Sequence, residues 1–148
     1  MTPISGHRSQ AHEITRWAAW ASRTQARRRA EAELQGWDAR VKSHERAHLA
    51  AAGAYAQSSA QYITMSGPDG RSYVVGGSVR IDLTPVPGDP EATLHKAEAV
   101  MRAALATGDP SAADLRVAAE AYRLAAQARR EIQSGQDSAP GALLDVTA

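Results

Sequence analysis

The 148-residue sequence contains no cysteine, which excludes a disulfide framework and any thiolate metal site. A bound ion would have to be held by histidine, aspartate or glutamate. Phenylalanine is also absent, and aromatics make up only 5% of the chain although apolar residues reach 43%, with alanine foremost. That balance suits closely packed helices better than a sheet sandwich. No stretch approaches the roughly 18 apolar residues of a membrane span, and the N-terminus lacks the continuous apolar core of a secretory signal. A soluble, cytoplasmic protein is the default expectation. A net charge of +1 gives no global reason to expect nucleic acid as a partner. Acid is scarce only locally: between Met1 and Ala30, Arg8, Arg16, Arg23, Arg27, Arg28 and Arg29 face Glu13 alone. Such a segment could meet phosphate or an acidic partner, but an excess of this kind is most often a solvated helix face.

The most informative residues present are His44-Glu45-Arg46-Ala47-His48, the H-E-x-x-H pattern of zinc-dependent peptidases. On a helix, positions i and i+4 stack on one face about 6 Å apart, so both imidazoles can reach a single ion while Glu45 points toward the same neighbourhood. The surroundings support a helix. Trp37, Val41, His44, His48, Ala51/Ala52 and Tyr55 recur at steps of three and four, so the histidines lie on the apolar face, where unpartnered rings would cost free energy. Two histidines bonded to carbonyls or acids are the plain alternative.

Periodicity predicts an α+β, mainly helical fold of about four helices, with a small three-stranded antiparallel meander after the H-E-x-x-H helix. Residues 1–10 read as a disordered leader, 11–36 as a basic N-terminal helix ended by Gly36, and 37–57 as the histidine-bearing helix. Alternating residues over 61–84, interrupted by Gly67-Pro68-Asp69-Gly70 and by Gly76-Gly77, predict the meander. Two helices follow over 89–133, each introduced by a Gly-Asp-Pro triplet taken as a repeated cap, and 134–148 reads as a flexible tail. Residues 11–133 are thus expected to form one domain. The apolar faces are placed at Leu94, Ala97, Val100/Met101, Ala104 and Leu105, then at Leu115, Ala118/Ala119, Tyr122 and Ala125/Ala126.

A catalytic zinc keeps three protein ligands and an open position, so one ligand remains to be found. No histidine stands six residues after His48, where Ala54 sits, and a downstream acid is required. Asp82, at the end of the third expected strand, is the preferred candidate, with Glu91 the alternative. Asp89 is better explained as an N-cap and His95 as an exposed side chain. Tyr62 or Tyr73 could donate to an oxyanion, although both suit core packing.

Several separate blocks in one order, Ser43-His44-Glu45-Arg46-Ala47-His48-Leu49-Ala50-Ala51, Gly67-Pro68-Asp69-Gly70-Arg71-Ser72-Tyr73-Val74-Val75-Gly76-Gly77, Val79-Arg80-Ile81-Asp82 and Gly88-Asp89-Pro90-Glu91-Ala92-Thr93 through Ala103-Ala104-Leu105, resemble the bacterial SprA-related family, described as zinc metalloproteases. The resemblance runs from about Val41 to Ala119. It implies a zincin-like domain with His44 and His48 as zinc ligands and Glu45 as general base, acting on a protein or peptide substrate. The competing reading is a non-catalytic helical binding module in which Arg23 to Arg29 contact nucleic acid or an acidic partner and any metal is structural. A third is a degenerate peptidase that keeps the metal without productive substrate binding.

Overall fold

In the computed structural model, residues 7–137 are described. They form three helices and a two-stranded antiparallel sheet, in the order α1 (His7–Ala52), β1 (Gln61–Ser66), β2 (Ser72–Ser78), α2 (Pro90–Ala104) and α3 (Ala112–Asp137), with a 3-10 turn at Gly53–Tyr55. This corrects the expectation of four helices and a three-stranded meander. The chain divides into two compact units, Met1–Val41 with Tyr62–Gly76 and Lys42–Gln61 with Gly77–Ala148. No described helix is long and apolar enough to cross a membrane.

The two expected N-terminal helices are one, because α1 continues through Gly36. A helical glycine costs about 1 kcal/mol relative to alanine, which lowers helix stability without breaking the backbone hydrogen-bond ladder. The flanking Glu31-Ala32-Glu33-Leu34-Gln35 and Ala39-Arg40 are favourable helix formers and no proline intervenes. α1 stops at Ala52 instead, where Gly53 takes a φ of +51°, a left-handed conformation that side chains with a Cβ rarely adopt. The first six residues of the expected leader lie outside the described residues, and the other four belong to α1. Likewise α3 extends to Asp137, and the remainder of the expected tail lies outside the described residues.

In the first unit, the turn between β1 and β2 forms where Pro68 and Gly70 predict it, with the Gly70 N–H donating to Gly67 O (3.0 Å) and the Gly67 N–H to Arg71 O (2.8 Å). β2 buries Tyr73 and Val74, whereas β1 is exposed along its length. Two backbone groups of β2 bond to side chains of α1: the Val74 N–H donates to Asp38 Oδ1 (2.8 Å) and the Trp37 indole donates to Val75 O (2.8 Å).

In the second unit, the segment expected as the third strand pairs elsewhere. Ile81 forms an antiparallel bridge with Ala56, the Gln57 N–H donates to Arg80 O (2.8 Å) and the Asp82 N–H to Tyr55 O (2.8 Å). Its partner is therefore the chain just beyond α1, and Pro85 and Pro87, which lack a backbone donor, stop the pairing from lengthening. α2 starts as its sequence indicates, with Asp89 as N-cap accepting from the Ala92 N–H (2.8 Å) and Pro90 at the first helical position.

The core of this unit lies between α2 and α3. Ala97, Val100, Ala103 and Ala104 are buried on one helix and Ala118, Ala121, Ala125 and Ala128 on the other. Among the described residues Val100 is the largest fully buried side chain, so this core gains its free energy from close helix approach and dispersion among methyl groups more than from bulky apolar volume. The buried face of α3 is rotated by about one residue from the expected stripe, leaving Leu115 51% and Tyr122 61% exposed. Stepping backwards along the observed face from Ala128 through Ala125, Ala121 and Ala118 leads to Asp114.

Candidate metal centre

α1 carries His44, Glu45 and His48 in its last turns, with Glu45 5% and His48 3% exposed. Their rings lie 4.6 Å apart between centroids, at 79° to one another. His48 Nδ1 is 2.9 Å from the carbonyl of Ala103, in the last turn of α2, where carbonyls lack the usual helical partner. The Nδ1–H donates there, which leaves the lone pair of the neutral ring on Nε2. His48 Nε2 stands 3.1 Å from His44 Nε2, and Asp114 Oδ2 stands 3.2 Å from each of them.

Three atoms able to ligate a metal thus form a nearly equilateral triangle, with every residue of it in the second unit. Ligands disposed tetrahedrally at about 2.0–2.1 Å from a zinc ion stand about 3.3 Å from one another, so the spacing fits a single ion. The donor chemistry fits as well. Three such atoms this close are satisfied by a shared proton or by a cation, and two imidazoles with one carboxylate are ligands that zinc accepts. The His48 side chain is 4% exposed, but those of His44 and Asp114 are 26% and 20% exposed. The group is therefore partly accessible to solvent at His44 and Asp114, and an ion held by these three atoms would have a fourth position left over.

The acid brought to the histidines is Asp114, neither Asp82 nor Glu91. Asp82 accepts from Lys96 Nζ (2.5 Å) and from the Thr84 N–H (2.8 Å), bonds that hold its carboxyl at about 2 instead of the ordinary 3.8, the lysine acting most strongly. Glu91 occupies the first turn of α2 and is exposed, consistent with simple complementation of the helix dipole. Asp89 caps α2, and His95 is exposed. The Tyr73 hydroxyl donates to Asp69 Oδ2 (2.6 Å) in the first unit, where Tyr62 is 39% exposed.

Asp114 was missed because the Gly108-Asp109-Pro110 triplet resembles the cap of α2. The cap of α3 is Ser111, two residues later than that triplet suggests. The Asp114 N–H donates to Ser111 Oγ (3.2 Å) while the Ser111 N–H donates to Asp114 Oδ2 (2.7 Å). This reciprocal pair is a capping box with aspartate in place of glutamate, and Ser111-Ala112-Ala113-Asp114 was its legible signal. Burial acts to raise the Asp114 carboxyl, but hydrogen bonds from Ser111 and the facing imidazoles outweigh it and leave it below the ordinary value. Glu45 shows the opposite balance: burial raises it, the two histidines only partly offset this, and the Asp114 charge adds to the rise. Room for Glu45 depends on Gly77, since a Cβ at that position would lie 2.6 Å from Glu45 Cγ.

No curated protein and no solved structure matches the chain. A family model does match, over residues 6–140, a range that includes α1, both strands, α2, α3 and all of His44, Glu45, His48 and Asp114. The chain belongs to the SprA-related family.

Proposed function

We propose that this protein is a zinc-dependent metallopeptidase in which His44, His48 and Asp114 hold the ion and Glu45 is the general base. The observation that carries the reading is the 3.1–3.2 Å triangle of ligand atoms beside a buried glutamate. It is supported by the H-E-x-x-H spacing and by the partial solvent access at His44 and Asp114. Zinc in such a site polarises a peptide carbonyl and lowers the pKa of water toward neutrality. Glu45 accepts the proton of the attacking water on a carboxylate oxygen and returns it to the nitrogen of the leaving amine. The Ala103 carbonyl holds the His48 tautomer, so that Nε2 presents its lone pair to the site throughout.

The reading is tested by mass-spectrometric analysis of a peptide library incubated with the zinc-loaded protein and with Glu45→Gln. Cleavage should fall by about 100-fold or more in the variant, the scale of a lost acid–base catalyst, with zinc retained. Equal cleavage by both proteins would remove Glu45 from the mechanism, and no cleavage by the zinc-loaded parent would overturn the peptidase assignment.

A further inference from the structure

We propose that Ser111 is a positioning residue for the metal centre, holding the Asp114 carboxylate in coordinating orientation through the N-terminal cap of α3. The inference rests on reading His44, His48 and Asp114 as metal ligands and adds a residue that touches neither ion nor substrate.

The argument begins with a shared atom. Asp114 Oδ2 accepts the Ser111 N–H at 2.7 Å and is also the oxygen that lies 3.2 Å from both imidazole Nε2 atoms. A carboxylate oxygen has two lone-pair directions. With one taken by the backbone of Ser111, the other remains for the histidine side. Ser111 Oγ meanwhile accepts the Asp114 N–H at 3.2 Å. Backbone and side chain of Asp114 are therefore both tied to the same serine.

In an ordinary capping box the acid turns back toward the N-cap and its remaining surface is solvated. Here the Asp114 side chain is only 20% exposed, and it faces histidines that come from a helix about 70 residues earlier in the chain. Bonds of this kind to a ligating carboxylate fix its rotamer before the ion arrives, and their loss typically weakens metal binding by about 10- to 100-fold. Ser111 thus serves two roles, terminating α3 and aiming a ligand.

The two contacts separate experimentally because glycine keeps the N–H that Asp114 Oδ2 accepts and loses only the hydroxyl, whereas proline at position 111 has no N–H to donate. Zinc dissociation constants are measured by competition with a chromophoric chelator, together with metal-free melting temperatures, for the full chain and for Ser111→Pro, Ser111→Gly and Asp89→Ala. Ser111→Pro should bind zinc about 10-fold more weakly or worse. Ser111→Gly, which keeps the N–H on Oδ2, should melt close to the parent and bind within about threefold of it. Asp89→Ala removes the cap of α2, where Asp89 accepts the Ala92 N–H at 2.8 Å, and should lower the melting temperature while leaving zinc affinity unchanged. Parental zinc affinity in Ser111→Pro would overturn the proposal, as would equal weakening in Asp89→Ala, which would mark general loosening of the helices. A parent that binds no zinc would instead remove the metal reading on which the proposal stands.

Discussion

His48 uses one ring nitrogen on the Ala103 carbonyl and turns the other toward His44 and Asp114. That division of labour within a single imidazole turns an i, i+4 pair into a site, because it fixes which nitrogen can ligate. The pair itself was legible in the sequence, since the helical period places positions 44 and 48 on one face. The third acid was not. Asp114 and Asp82 are both single acids beside apolar residues, and only the tertiary structure decides which of them meets the histidines. The choice follows from Lys96, a 7% exposed cation that requires a partner on burial and takes Asp82 Oδ2 and the Thr84 carbonyl.

The ion pair has its own signature. With the Asp82 carboxyl depressed from 3.8 to about 2, the folded state releases that proton more readily than the unfolded chain. The stabilisation is therefore complete above about pH 4 and disappears as pH falls through about 2. In thermal melts, the melting-temperature gap between the parent and Asp82→Asn should be wide at pH 6 and should close between about pH 4 and pH 2. A gap that stays constant across that window would show that Asp82 does not act through its charge.

At the scale of elements, the sequence showed α2, the hairpin turn and the helical character of residues 11–52 and 112–133, because Asp89-Pro90, Pro68-Asp69-Gly70 and the alanine periodicity are local signals. It misplaced what depends on partners. Residues 78–84 alternate as a strand should, yet pairing is chosen in three dimensions, and Ile81 bridges Ala56 instead of extending the hairpin. The buried face of α3 was misjudged because Leu115 and Tyr122 carry more apolar area than alanine, while the helix pair selects the small residues Ala118, Ala121, Ala125 and Ala128 that permit close approach.

Gly36 is the clearest case of a local signal overruled. Within α1 it has helical neighbours on both sides, and a Cβ added there would meet only Arg40 Nη1, at an unstrained 3.6 Å. Gly36→Ala should therefore raise stability by about 0.5–1 kcal/mol, read as a higher urea midpoint with an unchanged slope. A lowered midpoint would mean that position 36 is not ordinary helix interior.

At the scale of the whole molecule, three helices contribute to one centre in the second unit: the end of α1 supplies both histidines and Glu45, the end of α2 the carbonyl that orients His48, and the start of α3 the carboxylate. Helix termini suit this task because carbonyls and amides there lack their i, i+4 helical partners and can take side chains as well, as Ala103 O takes both the Ala106 N–H (3.2 Å) and His48. Residues 6–140 belong to one family model, so the basic first helix, which the sequence-based resemblance left outside, is part of the same family unit as the site. What no stretch of sequence displayed was the convergence of positions 44, 48, 103 and 114, since it joins three helices that are far apart in the chain.

The assignment of Asp114 as the third ligand is tested most directly by zinc stoichiometry after dialysis against sub-micromolar free zinc, comparing the parent, Asp114→Asn and Asp82→Asn, each checked for folding by circular dichroism. The parent and Asp82→Asn should each retain about one zinc per chain, while Asp114→Asn should fall well below that. Zinc kept by Asp114→Asn but lost from Asp82→Asn, or none bound by the parent, would contradict the account.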